Sequence, residues 1–362
     1  MLAPSALSRT PLTRRRRQRA LLLPALATLL VVSAILCATV GGVPMPALEI
    51  VALLLRKVGL SIPIATTQEH EAIFFAIRLP RVVLGLLVGS GLGIAGAAMQ
   101  GIFRNPLADP TLLGISNGGA LGAVTAIVLG ARWAHGLPFS LSAPHLLPIA
   151  AFLGALAAAW SIERLSLVEG RLVVSMFLLA GIAIASLCSA LTGVLTFAAN
   201  DAQLRSIVFW TLGSLAGATW QTALVSALFL AAPVMILPRF GRSLNALLLG
   251  ESEAKNLGVA AERVKRTATV LIALAVGTTV AVAGVIGFIG LVVPHVVRLT
   301  AGPDHRLILP GSALLGAILV VWADALARTL VLPAELPLGI VTASVGAPCF
   351  IALLVRERRR LG

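Results

Sequence analysis

Residues 82–103 read VVLGLLVGSGLGIAGAAMQGIF, an apolar run with no charged side chain. A helix rises 1.5 Å per residue, so about 20 apolar residues cross a hydrocarbon layer of about 30 Å. The run reads as a membrane-spanning helix. Gly85, Gly89 and Gly93 recur every four residues, which gives the helix one smooth face for close packing. The same stretch holds Gly91-Leu-Gly93-Ile-Ala-Gly96, formally a dinucleotide-binding GxGxxG. That motif needs a preceding strand and a helix start, whereas here it lies in the middle of an apolar run. It reads as packing.

Outward from this run the pattern repeats. Ten spans are expected, at 20–40, 82–103, 114–131, 146–165, 172–197, 222–238, 267–283, 285–301, 307–327 and 338–355. Residues 1–19 form a basic tail and 20–358 one transmembrane unit, an all-α polytopic fold. Composition agrees: 58% of residues are hydrophobic and 12% charged, with a mean hydropathy of +1.00. Soluble globular chains are about half apolar and about a quarter charged. The tail is followed by an apolar run too long for a signal peptide's core, and Leu36 before Cys37 does not suit a lipoprotein cleavage site, so a retained first span is expected. Residues 41–81 form an outer segment whose apolar stretch, 46–55, is too short to cross and is expected at the interface.

The net charge of +14 does not point to nucleic acid, because the basic residues cluster between apolar runs. Placed on the ten-span layout, 21 of the 28 Lys and Arg fall on one side and 7 on the other. Lys and Arg are retained on the cytoplasmic side, so both termini are expected there. The cysteines Cys37, Cys188 and Cys349 lie in separate apolar segments, and no metal or redox spacing is present. A GxxxxGK[ST] phosphate loop is missing from the sequence, so ATP would have to be bound by a partner. Mid-span positions carry almost no ionisable groups, which disfavours an ion-coupled secondary transporter and a membrane-embedded enzyme.

Four loops are more polar than connections require. Arg78-Leu-Pro-Arg81 puts two cations on the outer side against the topological bias, as a patch for an acidic partner would. Residues 103–110, FRNPLADP, form a stiff inner turn, since Asn105 and Asp109 each precede a proline. Residues 243–266 carry two short helix patterns broken at Gly250 and Gly258, with Leu247, Leu248, Leu249 and Leu257 as an apolar face suited to a groove on a soluble partner. Residues 200–220 are too short and Gly-rich to cross, and a half-helix capped by Asn200 or Asp201 is expected over an outer cavity. Asp324 and Arg328, four apart, can pair on one helix face. His295 near the inner end of its span reads as structural, and Met99 and Met176 as packing.

Arg78-Leu-Pro-Arg81, Gly96-Ala-Ala-Met-Gln100, Phe103-Arg-Asn-Pro-Leu-Ala108, residues 247–258, Gly287-Phe-Ile-Gly-Leu-Val-Val-Pro-His-Val-Val-Arg298 and Ala334-Glu-Leu-Pro-Leu-Gly-Ile-Val-Thr342 together resemble the FecCD family of permeases. These are subunits of type II ATP-binding-cassette importers for cobalamin, ferric siderophores and haem. The resemblance runs from about residue 20 to 358 with the motifs in order. It implies a multi-pass protein of the bacterial inner membrane with no enzymatic activity of its own. It further implies a homodimer with the pathway at its interface, two cytosolic ATPase subunits that bind ATP and magnesium, and a periplasmic binding protein. By position, Arg78, Arg81 and Arg328 would dock the binding protein. Asn105 and Leu107 would form one part of a cytoplasmic gate and Val168, Glu169, Gly170 and Arg171 the other, although the latter departs from the Ser/Thr pair of the cobalamin permease. Leu247, Leu248, Gly250, Glu251, Ala254, Leu257 and Gly258 would be the coupling segment seated in the ATPase. The stretch 200–215, with Arg205, Phe209 and Trp210 at an outer cavity, is most similar to haem permeases, which makes haem the expected transported substrate.

Overall fold

The computed structural model describes residues 11–60, 62–64, 66–111, 114–134 and 143–361, so Arg9 and the first half of the basic tail lie outside the described residues. The chain is an all-α polytopic membrane protein. In order come α1 (Pro11–Thr39), α2 (Ala47–Lys57), α3 (Gln68–Ile73), a π turn (Phe74–Arg78), α4 (Leu79–Phe103), α5 (Ile115–Ala134) and α6 (Ala143–Ser166). A two-stranded hairpin, β1 (Leu167–Val168) and β2 (Arg171–Leu172), leads into α7 (Val174–Phe197), α8 (Asp201–Thr211) and α9 (Trp220–Ile236). After a 3-10 turn (Leu237–Phe240) come α10 (Gly241–Leu248), α11 (Glu251–Asn256), α12 (Ala261–Ala283), α13 (Ile289–Ala301), α14 (His305–Ala327) and α15 (Leu338–Leu361). Below, "inner" and "outer" name the two ends as the charge bias orients them.

Each of the ten expected spans is helical. Among the described residues, seven helices are long and apolar enough to cross a membrane, and Ile115–Gly130, Ile289–Ala301 and Leu338–Ala352 are shorter apolar helices. Two boundaries differ from expectation. The second span does not begin at 82, because helix runs unbroken from Gln68 to Phe103 through the π turn. The eighth, expected at 285–301, is only 13 residues of helix. That is about 20 Å, short of a full crossing. Residues 284–288 lead into it as non-helical chain, with Phe288 at φ +69°. The interfacial stretch is helix α2, which buries Ile50, Ala52 and Leu53 and is flanked by α1.

Helix α4 is the centre: 78% of its apolar window is buried inside the protein, against 72% for α12, 61% for α14 and 11% for α1. Small residues allow this. A methyl at Gly89 would meet the Gly316 carbonyl at 2.2 Å, and one at Gly93 the Ser312 carbonyl at 2.1 Å, so α4 and α14 lie backbone to backbone. Close approach of this kind maximises dispersion contact where lipid offers no hydrophobic drive between helices. On the periphery, Leu179, Ile182, Val194 and Phe197 of α7 face outward. In a bilayer, that surface is solvated by lipid or covered by another subunit.

Three chain breaks meet toward the outer end. Ser214 N–H donates to the Ala283 carbonyl at 2.9 Å, and Leu338 and Gly339 N–H donate to the Gly213 and Leu212 carbonyls at 2.9 Å. Irregular backbone at membrane depth is tolerated only where protein or water satisfies it. Here each break supplies the other's missing partner.

Candidate functional sites

The outer site is built on the end of α1. A helix leaves its last four carbonyls without intrahelical partners. In α1 all four are satisfied by side chains: Leu36 by Thr39 Oγ1 at 2.7 Å, Cys37 by Arg328 Nη2 at 3.2 Å, and Ala38 and Thr39 by Arg78 Nη1 at 2.8 and 2.9 Å. Arg328 also donates to the Val40 carbonyl at 2.9 Å, and Arg78 Nη2 to the Val43 carbonyl. Cations at a helix C-terminus complement its dipole, so the arrangement is favourable twice over. Asp324, 3% exposed, lies between Arg328 Nε at 3.0 Å and Arg81 Nη2 at 2.9 Å. The guanidinium of Arg81 grips Glu335 on its other side, at 3.0 and 2.8 Å. Hydrogen bonding from Arg81 holds the Glu335 carboxyl below the usual carboxylate range, against the opposing effect of partial burial.

This corrects one expectation. Arg78, Arg81 and Arg328 do not stand as a free cationic patch: Arg78 and Arg328 are buried and their donors are occupied by carbonyls and Asp324. The physical reason is the α1 terminus, whose carbonyls no sequence pattern links to residues 40 and 290 positions away. Glu335, half exposed at the rim, was assigned no role from sequence.

At the inner end α4 stops at Phe103, with Arg104 in the left-handed conformation at φ 50°. Such a residue ends a helix by turning the chain back on itself. Asn105 Oδ1 then accepts the Leu107 N–H at 2.9 Å, and Asp109 Oδ1 accepts from Thr111 N and Oγ1 at 2.8 and 2.6 Å. Burial pushes the Asp109 carboxyl up, and the Thr111 bonds partly offset that. Asn105 and Leu107 are exposed on the rim of a cavity of about 720 Å³. Its walls come from the α4 end, α10, α13, the α13–α14 turn and α15, and include Leu291, Leu299 and Phe350. Among its described lining residues are Arg104, Arg298, His295 and His305, and neither Asp nor Glu. Arg298 Nη2 donates to Gln100 Oε1 at 3.1 Å, and Gln100 Nε2 reaches the Gly290 and Leu291 carbonyls at 3.4 and 3.3 Å. His305 Nδ1 donates to Asn245 Oδ1 at 2.9 Å. Gln100 and Arg298 were visible in the sequence as members of motifs, but their mutual contact needs the fold.

The other expected gate segment is the β1–β2 hairpin. Val168 pairs with Arg171, and Glu169 (φ 50°) and Gly170 (φ 76°) form the two-residue turn. Two consecutive positive φ values match the turn that twists with its strands. All four residues are exposed, and they do not line the cavity that Asn105 and Leu107 border. Within one chain the two segments expected to gate the pathway therefore do not share this cavity.

Helices α10 and α11 correspond to the segment expected to seat a soluble partner. Leu248, Leu249 and Leu257 are exposed, as a docking face requires. Leu247 and Ala254 are not: both are buried in the main core and anchor the two helices to the body. Gly250 (φ +116°) and Gly258 (φ +80°) bracket α11, and Glu251 is exposed.

Asn200 caps α8, accepting the Gln203 N–H at 3.0 Å while Gln203 Oε1 accepts the Asn200 N–H at 3.0 Å. This reciprocal box fixes the half-helix start. Gln203 Nε2 also donates to the Ile127 and Val128 carbonyls of α5 at 3.2 Å. Arg205 and Phe209 point outward, whereas Trp210 packs against the core, so the three do not converge on a cavity within one chain.

The model of the FecCD transport family matches residues 29–356, and the chain belongs to that family. It is 48% identical over 302 residues to the hemin transport system permease protein HmuU of Yersinia pestis, covering 82% of this chain and 87% of that one. It is 39% identical over 318 residues to the cobalamin import system permease protein BtuC of Halobacterium salinarum, covering 88% and 81%. A solved inward-facing structure assigned to the metal-chelate type of ABC transporter superposes with a TM-score of 0.77 at 33% identity, covering 92% of this chain and 98% of the other. The chain is thus the permease subunit of a type II ABC importer.

Proposed function

We propose that this permease carries haem across the bacterial inner membrane by alternating access between two copies of itself. Two cytosolic ABC ATPases bind ATP and magnesium beneath the dimer, a periplasmic binding protein delivers haem from outside, and both termini face the cytoplasm. The observation that carries haem over its rivals is the higher identity to a hemin permease than to a cobalamin permease. The inner cavity supports it. Haem is a flat apolar macrocycle with carboxylates on one edge, and the cavity combines Leu and Phe walls with two arginines and no described acidic lining residue. A small number of placed polar groups in an apolar pocket is the usual way a site orients such a ligand.

The test is uptake into proteoliposomes holding the permease, its ATPase and its binding protein. Haem is expected to accumulate only with ATP, and cobalamin and a ferric siderophore to accumulate far less. ATP-dependent cobalamin or siderophore uptake without haem uptake would overturn the substrate. Uptake that needs no ATPase would overturn the importer reading for this chain.

A further inference from the structure

Lys265 of α12 sits where three inner elements meet, and its side chain is only 2% exposed. The ammonium donates to Glu251 Oε1 at 2.6 Å, at the first position of α11. It also donates to Glu262 Oε1, one turn earlier on α12, at 3.2 Å, and to the Leu172 carbonyl of β2 at 3.4 Å. The other oxygen of Glu262, Oε2, accepts the Leu172 N–H at 2.9 Å. Both backbone polar groups of Leu172 are therefore held by the Lys265–Glu262 pair, and Leu172 is itself buried. Lysine is almost never buried unless paired, and a buried ion pair is weak evidence for stability as such. What this one supplies is a connection.

The connection runs between α11 and the hairpin, with α12 packed against both. Helix α11 is bracketed by Gly250 and Gly258, both at positive φ with open space where a side chain would be. Glycine there tolerates a change of backbone angle at little cost. On the far side, the hairpin turn at Glu169 and Gly170 is exposed, and it is tied down at Leu172. A push on α11 moves Glu251, Glu251 moves the Lys265 ammonium, and the ammonium bears on the Leu172 peptide.

We propose that Lys265 is a positioning residue that transmits displacement of α11 to the hairpin at residues 168–171, through a relay from Glu251 to Leu172. The proposal rests on reading α10 and α11 as the seat of the ATPase. The buried cation is shared by one glycine-bracketed helix and one exposed turn, so the equilibrium position of each biases the other.

The experiment uses the full importer in liposomes, with Cys37, Cys188 and Cys349 replaced by alanine and a nitroxide at E169C. In this parent the label spectrum is expected to change on adding ATP. In Lys265→Met and in Glu262→Ala the ATPase still co-purifies, the ATP-dependent spectral change disappears, and haem uptake per ATP hydrolysed falls about fivefold or more. Lys265→Arg, which keeps the cation, restores part of both. The double variant is no worse than Lys265→Met alone, because both act on one link. Glu262→Ala lies in the partly exposed first turn of α12, outside the α10–α11 seat, and carries the test if Lys265→Met fails to fold. A label that follows ATP unchanged in both single variants, or losses that simply add in the double, would overturn the relay. The seat is tested apart from it: Leu249→Asp with Leu257→Asp should abolish ATPase co-purification, and retention would overturn the seat and the relay together.

Discussion

Arg328 shows how much one side chain does at the outer end. It donates to the Cys37 and Val40 carbonyls and pairs with Asp324, all within a buried site. Arg328→Met would leave Asp324 with Arg81 alone and return two carbonyls to an unsatisfied state. Breaking a buried pair of this kind costs about 3–5 kcal/mol. Glu335→Gln removes a partner that is 40% exposed, and such pairs are worth about 1 kcal/mol or less. Thermal unfolding in detergent should therefore show a large drop for the first and a small one for the second. The Glu335 contribution has a definite pH sense. Its carboxyl is held low in the folded protein, so the stabilisation is complete above the unfolded value of about 4.3 and is lost as pH falls through the folded value. The Glu335→Gln variant should lose that acid-side difference and match the parent's pH response near neutrality.

At the scale of elements, the α4–α14 contact sets the tolerance of the glycines. Gly89 and Gly93 face backbone carbonyls at 2.2 and 2.1 Å from a built methyl, whereas Gly85 faces side chains of Val321 and Leu215 at 3.2 and 3.3 Å. Gly89→Ala and Gly93→Ala force the helices apart, at a cost of about 1–3 kcal/mol or more. Gly85→Ala asks only that two side chains shift by a few tenths of an ångström. Folded yield and melting temperature should fall for the first two and change little for the third. Near-equal loss at all three would show that the helices are not held at backbone contact. The four-residue spacing was readable from the sequence, but which glycine meets backbone was not, because that depends on the position of Gly316 along α14.

For the molecule as a whole, α4, α12 and α14 make the interior and the remaining spans wrap it. Gly89, Gly93 and Gly316 bring α4 and α14 to backbone contact, while Leu92, Ile94, Ile272, Ile308 and Val320 fill the space between the central helices. The charge bias gives an expected orientation, and impermeant thiol labelling tests it. Ala202→Cys on exposed α8 should react from the periplasmic side, and Glu169→Cys in the hairpin only after the membrane is opened. Reaction of both from the same side would overturn the ten-span layout. Residues expected to act together at each face need not meet within one chain: Asn105 and Val168 occupy separate places at the inner end.

Some of this architecture followed from sequence alone. The all-α membrane fold came from apolar runs of crossing length, which water cannot solvate, and the uneven Lys and Arg supply the expected sidedness. A capped half-helix start at Asn200 or Asp201 and the two-helix segment with glycine breaks were legible because caps and breaks act over a few residues. Tertiary structure decided the rest. Arg78 and Arg328 serve the end of α1, Leu247 and Ala254 turn inward while Leu249 and Leu257 do not, and residues 285–288, expected to begin the eighth span, are non-helical. Lys265 joins Glu251 to Leu172 across the inner face. Each of these depends on which buried polar group lacks a partner, and that is settled only when distant helices are brought together.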